Sequence, residues 1–267
     1  MPIHHRVLLT GAAGALGTEL RRDGATWASH LRLTDRIPVA DPAAHEEDRP
    51  ADLADGPALL DLAEGCDAIV HFGGQSREGP WSSVLPSNVV GTYNVYEAAR
   101  QRGVGRVVYA SSIHTVGFHE RTTPIDAAAP VRPDSLYGVS KTFGESLSRY
   151  YFDKFGIETV CLRIGSCFPE PNDRRHLITW LSYRDLRQLV FKALEAERVG
   201  HLIAMPTSDN GPSFWDDRAA RILGFRPVDS AAAFRDAVLA ATPRGDPDDP
   251  AVRFQGGSFC TAGPVDD

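Results

Sequence analysis

Tyr137 and Lys141, in the stretch Tyr137-Gly-Val-Ser-Lys141, are the two side chains of this chain best placed to do chemistry together. Four residues apart on a helix, they share one face, one turn apart. A phenol with a pKa of about 10 is a poor base at neutral pH. A fixed ammonium about 5 Å away, at an effective dielectric of about 20, favours the phenolate by roughly 3 kcal/mol, or about two pH units. That would make Tyr137 a usable proton acceptor for an alcohol. Alone, the pair equally fits the start of an ordinary amphipathic helix. Its meaning depends on what the rest of the chain brings to it.

The elements that must position the pair begin at the N-terminus. Arg6-Val-Leu-Leu-Thr10 reads as a strand, followed by Gly11-Ala-Ala-Gly14-Ala-Leu-Gly17 and a helix over 15–23. Strand, glycine turn and helix are the context of a dinucleotide fingerprint, here spaced Gly-x-x-Gly-x-x-Gly. Gly11 would allow the tight turn, Gly14 would let the backbone approach a pyrophosphate, and Gly17 would let helix pack on strand. The amides of Ala15, Leu16 and Gly17 at the helix start would face the phosphates. Leu31-Arg-Leu-Thr-Asp35 is the second strand. Asp35 could take both adenosine ribose hydroxyls and repel a 2′-phosphate, which favours NAD over NADP; the alternative is a turn residue before Pro38.

Residues 37–50 read as a surface loop, and Ala51-Asp52-Leu53 sits where a third strand would end, with Asp52 able to receive the adenine amino group. A helix over 56–65 leads to the strand Asp67-Ala-Ile-Val-His-Phe72, then Gly73-Gly74 and Ser76. A long helix over 82–102 carries Asn88, either a cofactor contact or an amide bonded within its helix. The strand 106–110 delivers Ser111-Ser112-Ile113-His114. Ser112 could hydrogen-bond a reacting oxygen or simply close a turn. The Tyr/Lys helix over 137–155 is followed by the strand Glu158–Ile164 and Gly165-Ser166-Cys167. This alternation predicts a Rossmann-like, doubly wound parallel sheet in one domain spanning 1–267, with a cofactor-binding core over 1–168. Beyond it, helices over 183–198, 213–223 and 230–241 and a strand over 200–205 are too short and interleaved to enclose a core alone. They predict a small lobe over the carboxyl edge of the sheet, where a substrate would lie.

With 267 residues, 42% hydrophobic and 24% charged, the chain has the composition of an ordinary globular protein with ample core. A net charge of −7 argues against nucleic acid or an anionic membrane as partner. No apolar run approaches a membrane span and no signal-peptide pattern opens the chain. Cys66, Cys161, Cys167 and Cys260 lack zinc spacing and read as reduced thiols, so a cytoplasmic protein without a metal is expected.

The glycine turn, Ser112 and Tyr-x-x-x-Lys together resemble the extended short-chain dehydrogenase/reductase superfamily. Within it the chain is similar to the uronate dehydrogenase family from end to end. The similarity rests on Thr10–Gly14, His71–Gly74 with Ser76, Ser111-Ser112 with His114, Tyr137–Lys141, Tyr151–Gly156, Arg163–Asn172, Thr179–Ser182 and Val252–Gly257. The resemblance implies NAD-dependent oxidation of the anomeric carbon of a hexuronic acid, glucuronate or galacturonate, to an aldarolactone. Tyr137 would act as base, Lys141 would lower its pKa and bond the nicotinamide ribose, and Ser112 would hold the reacting oxygen. It also implies cofactor contacts from Leu53, Asn88, Ser111, Ile164, Ser166 and Cys167, and sugar contacts from Ser76 and His114.

A uronate carboxylate suits an arginine fork. By residue type either Arg174 or Arg175 could be a surface residue; the resemblance selects Arg175, with Arg174 able to substitute. Where relatives carry asparagine, Ile113 stands, so a lost hydrogen bond of about 1 kcal/mol and an altered hydroxyl preference are expected. The superfamily's habit of associating implies a homo-oligomer. The alternatives are a related sugar dehydrogenase or epimerase, and a non-catalytic NAD-sensing regulator. The short carboxyl-terminal part argues against a nucleotide-sugar epimerase, and the intact Tyr/Lys/Ser set against the regulator.

Overall fold

The computed structural model describes residues 3–263 and 265–266; the remaining four positions of the expected single domain lie outside the described residues. Seven parallel strands form one sheet in the order β3-β2-β1-β4-β5-β6-β7. They are β1 (His4–Thr10), β2 (Ala28–Thr34), β3 (Glu46–Asp48), β4 (Ala68–His71), β5 (Arg106–Ser112), β6 (Glu158–Ile164) and β7 (His201–Ala204). The chain order reverses between β1 and β4, which opens a crevice at their carboxyl ends, the usual ligand site of such a sheet. Helices cover both faces, so the central strands read as unbroken apolar runs. Val7 and Leu9 pack on one side with Val108, Val160, Leu186 and Leu189. Leu8 packs on the other with Ile69, Val107, Tyr109 and Cys161.

The tyrosine helix, Leu136–Phe155, is bounded by local signals. The Ser135 side chain caps it by accepting from the Gly138 amide, and Gly156 ends it in the left-handed conformation. The doubly wound sheet expected from the alternation is present, but three local expectations are corrected. The third strand ends before Ala51-Asp52-Leu53: β3 lies inside the expected loop, an acidic edge strand with no apolar pattern to reveal it. It pairs with β2, and Arg21–Glu46 and Arg32–Glu47 ion pairs hold it.

The helix over 82–102 is interrupted. Trp81–Val84 is α-helical, Leu85–Val90 is a π turn, and Gly91–Arg102 resumes the α-helix. Pro86 has no amide hydrogen for the regular ladder, and its carbonyl accepts from Gly91 five residues on. Residues 213–217 are not helical. Phe214 and Trp215 are buried against Ile113, Val116, Ile125 and Met205, and their backbone bridges to Ile125 instead. Only Arg218–Ile222 forms a helix there, so a tertiary partner outcompetes helix propensity.

Candidate active site

At the crevice, the glycine turn is used as a close approach between backbones. Gly11 has φ +73°, and a side-chain carbon on it would lie 2.7 Å from the Phe72–Gly73 backbone. On Gly17 such a carbon would lie 2.1 Å from the Gly11 carbonyl oxygen, closing the turn to any other residue. No side chain caps the helix Ala15–Arg21 and no acid occupies its first turn, so its leading amides have no side-chain partner. Asp35, just past β2, accepts from the Ala13 amide at 3.2 Å and the Arg36 amide at 2.7 Å, which holds its carboxylate against the turn. Asp52 is exposed and accepts from the Ala54 amide, while the Leu53 side chain packs beside Gly73 and Gly91. A bare glycine backbone, unspent amides and a flanking carboxylate fit a dinucleotide.

Two residues expected at the cofactor have side chains spent elsewhere. Asn88, brought inward by the π turn, accepts from the Gln75 amide at 2.7 Å and donates to the Gln75 carbonyl and to Ser140 Oγ. It clamps the loop after β4 to the tyrosine helix. Ser111 donates to Glu145 Oε1 at 2.6 Å, within a buried pair that Glu145 forms with Arg163 Nε and Nη2 at 2.9 and 2.8 Å. Cys167 is a core thiol beside the helix that follows the glycine turn, its pKa raised by burial. Ile164 is buried at the end of β6.

Tyr137 and Lys141 share the inward face of their helix, both almost fully buried. Lys141 Nζ lies 5.6 Å from the Tyr137 ring centre and 5.2 Å from that of Tyr109. Burial pushes the Tyr137 phenol up to about 12. The nearby Ser112 hydroxyl opposes that, and the charge of Asp134 adds to it. Burial pushes Lys141 down to about 8. The lowering of the phenol pKa expected from the ammonium is therefore absent from the protein alone. Attraction to the ammonium favours the phenolate, but desolvation penalises both charges. Behind them His71, bonded to Thr10 Oγ1 and Thr92 Oγ1, is held neutral by burial and by the Lys141 charge.

On the far side of the crevice the two adjacent arginines part company. Arg174 donates to the carbonyls of Leu239, Thr242 and Pro243 and ties down the end of the helix Arg235–Ala241, so it is not free to hold a substrate. Arg175 donates Nε to the Gln255 carbonyl at 2.7 Å and Nη1 to Ser166 Oγ at 3.1 Å. Its Nη2 is buried with no partner, and no carboxylate lies within ion-pair distance of it among the described residues. Burial, with the charge of Arg121, pushes its pKa down to about 10. Ser76 is exposed on the loop after β4. His114 donates through Nδ1 to Asp134 Oδ2 and stacks on Phe259 with ring centres 3.7 Å apart. Ile113 is 1% exposed and belongs to the apolar cluster with Trp215, so it fills the lobe's core where an asparagine would need polar partners.

Residues 7–198 match the model of the NAD dependent epimerase/dehydratase family. A uronate dehydrogenase of Pseudomonas putida is 51% identical, with 97% of each chain covered. A crystal structure of a glucuronic acid dehydrogenase from Chromohalobacter salexigens superposes with a TM-score of 0.95 at 47% identity, covering 97% of this chain and 98% of that one. A mutant uronate dehydrogenase from Agrobacterium tumefaciens, complexed with NAD, superposes with a TM-score of 0.93 at 45% identity, covering 98% and 99%. This chain belongs to the uronate dehydrogenase family.

Several residues that build this uronate dehydrogenase site gave no sign of their role in the sequence. Glu78, from the loop after β4, accepts from the Leu136 and Tyr137 amides at 3.2 and 2.9 Å and so caps the tyrosine helix from outside. Gln255 is fully buried in the tail. It receives Trp215 Nε1 at 2.8 Å and donates to the Glu120 and Thr123 carbonyls, while its own carbonyl holds Arg175. The Trp215 ring lies 2.9 Å from where a side-chain carbon on Gly165 would stand, so glycine lets the indole cover the end of β6. Asp134 and Phe259 flank His114. Of these, only Gln255 lay in a stretch that carried the family resemblance. An Asp-Ser pair just before a helix does signal a cap, but nothing local pointed Asp134 toward His114.

Proposed function

We propose that the protein is an NAD-dependent uronate dehydrogenase that oxidises the anomeric carbon of glucuronate or galacturonate to an aldarolactone. The glycine turn and Asp35 would hold NAD, whose nicotinamide would supply the hydride acceptor. Tyr137 takes the proton of the anomeric hydroxyl, and Ser112, beside the phenol, holds that oxygen in line. Lys141 offers the buried ammonium that makes a transient phenolate less costly in a closed site. The observation that carries the acidic sugar is the buried, unpartnered Nη2 of Arg175. A guanidinium taken out of water without a counter-charge is costly, and a substrate carboxylate relieves that cost bidentately with Nη1. Ser166, which receives Nη1, would then stand at the substrate rather than against the cofactor.

The decisive assay follows NADH production from glucuronate, galacturonate, glucose and galactose, with NAD and NADP in parallel. Turnover of uronates with NAD is expected; oxidation of neutral sugars with no uronate turnover would refute the reading. Arg175→Ala should lower kcat/KM for uronates roughly 10- to 100-fold, the worth of a charge-assisted hydrogen bond, and leave any slow neutral-sugar oxidation nearly unchanged. Equal losses on both would make Arg175 a structural residue.

The setting we assign is cytoplasmic, in line with four unpaired cysteines, and no helix among the described residues is long and apolar enough to cross a membrane. We take the chain as one domain, because Arg175, Gln255 and Trp215 bind lobe and tail to the sheet edge. Self-association is in keeping with the exposed Leu85, Val90, Tyr93, Val139 and Tyr150 on the two long helices; a monomer by light scattering at assay concentration would exclude it.

A further inference from the structure

Asp134 lies beside the catalytic tyrosine with a side chain that is 0% exposed. Two backbone positions make room for it. A side-chain carbon on Gly117 would stand 1.8 Å from Asp134 Oδ2, and one on Gly256, from the distant tail, 1.9 Å. Burying a carboxylate is expensive unless its oxygens are bonded, and here both are. Oδ1 accepts from Ser135 Oγ at 2.8 Å, the same hydroxyl that caps the tyrosine helix, and Oδ2 pairs with His114 Nδ1 at 2.8 Å. His114 is clamped on its face by Phe259, and its ring meets that of Tyr137 edge-on at 5.7 Å. Among the described residues its Nε2 has no hydrogen-bond partner.

Resting on the uronate reading, we propose that Asp134 is a positioning residue that fixes His114 with its hydrogen on Nδ1, so that the bare Nε2 accepts from a ring hydroxyl of the sugar and turns its carboxylate away. A carboxylate offers only acceptors, so the hydrogen between Oδ2 and Nδ1 belongs to the imidazole. The neutral ring then has a lone pair, and no hydrogen, at Nε2. A hydroxyl can donate to that lone pair; a carboxylate oxygen cannot and is repelled by it. Arg175 presents the opposite polarity, donors only. The two residues together admit the uronate in one direction, with its acid end at Arg175 and a hydroxyl-bearing edge at His114, beside Ser112 and Tyr137.

The neutral ring is consistent with its surroundings. Burial is the largest influence and lowers the His114 pKa from 6.5. Arg175 lowers it further, Asp134 and Glu78 oppose, and the Tyr137 phenol in edge contact is uncharged at neutral pH. Asparagine in place of Asp134 keeps the shape, removes the charge and can turn an N–H toward Nδ1. That would move the hydrogen to Nε2 and reverse what His114 offers the sugar.

The test begins with ¹⁵N NMR of the histidine-labelled wild-type protein. The His114 signals should show a protonated Nδ1 and a bare Nε2; a hydrogen on Nε2 overturns the proposal. Asp134→Asn should bind NAD as the wild type does, yet lose at least ten-fold in kcat/KM for the uronate. Its acid limb should move to lower pH, since a group that raised the histidine pKa is gone; a loss of packing alone would not move that limb. Wild-type kinetics and an unshifted acid limb in Asp134→Asn would refute the inference. Should the variant fail to fold, ring-deoxyfluoro uronates decide it on the wild type, because fluorine cannot donate. At one ring position fluorine should cost as much as deleting the hydroxyl, and fluoro analogues as good as the parent at every position would overturn it. A wild type that makes no NADH from any uronate refutes the enzymatic reading instead, which keeps the two failures distinct.

Discussion

The two sides of the crevice are assembled in opposite ways. The proposed cofactor side is made of short local units at strand ends: the glycine turn directly after β1, Asp35 directly after β2, and Gly73-Gly74 directly after β4. Its polar groups are backbone amides or single carboxylates held within a few residues of a strand. The proposed substrate side is made of long-range contacts. Arg175 is held by a carbonyl 80 residues away, Trp215 by a side chain 40 residues away, and Arg121 by the carbonyls of Phe254 and Ala251 more than 129 residues away. Cofactor recognition can thus be encoded by a motif, whereas substrate recognition depends on the lobe and tail closing correctly on the sheet.

That contrast can be broken or sharpened by mutation. The largest effect should come where the two sides meet. Tyr137→Phe removes the proposed proton acceptor and should cut kcat by roughly 10³-fold, with NAD affinity by titration unchanged; a matching loss of NAD binding would mean that the phenol serves the cofactor side as well. Lys141 offers a stability test of the same junction. Its pKa is displaced from 10.5 to about 8 in the folded protein. At about 1.4 kcal/mol per pH unit this is roughly 3 kcal/mol of destabilisation. Because the folded value lies below the unfolded one, the unfolded chain binds more protons between about 8 and 10.5. The penalty is therefore complete below pH 8 and fades as pH rises through that window. Lys141→Met should raise the Tm of the cofactor-free protein at pH 7, with the advantage gone above about pH 10.5; a lower Tm at pH 7 would show the ammonium to be paired in solution.

Smaller effects separate the two sides themselves. Gln255→Leu leaves the Trp215 indole and the Thr123 carbonyl without the partner that Gln255 supplies, at about 1–3 kcal/mol per buried group. It should lower Tm and raise the uronate KM about ten-fold while NAD affinity holds. If NAD affinity falls in step, the halves act as one unit and the contrast fails. Asp35→Ala should do the reverse, weakening NAD about ten-fold and narrowing the preference over NADP, with the uronate KM at saturating cofactor unaltered.

The sheet was legible because its central strands are buried on both faces and appear as apolar runs such as Arg106–Ala110 and Glu158–Ile164. The acidic β3 was not, since an edge strand held by Arg21 and Arg32 needs no apolar pattern. The helix ends at Ser135 and Gly156 follow local capping rules, whereas the π turn at Leu85–Val90 matters through what it does to Asn88, a contact with a loop ten and more residues back. At the site, type and spacing singled out Tyr137, Lys141 and Ser112, but not Glu78, Asp134 or Gln255. Glutamate, aspartate and glutamine are common residues, and their roles here come only from partners that folding brings to them.

By itself, the sequence determined the central strands and the tyrosine helix, the glycine turn with its flanking Asp35, and the Tyr137–Lys141 spacing, because each depends on neighbours within a turn or a strand. Only the tertiary structure decided the charges and the partners. It set the phenol above its ordinary pKa and the lysine below, bound Arg174 to a helix end, and left Arg175 with a free donor. It placed Ile113 in the lobe's core and His114 against Asp134. Desolvation and hydrogen-bond satisfaction are properties of an enclosed volume, and that volume is walled by segments far apart in the chain.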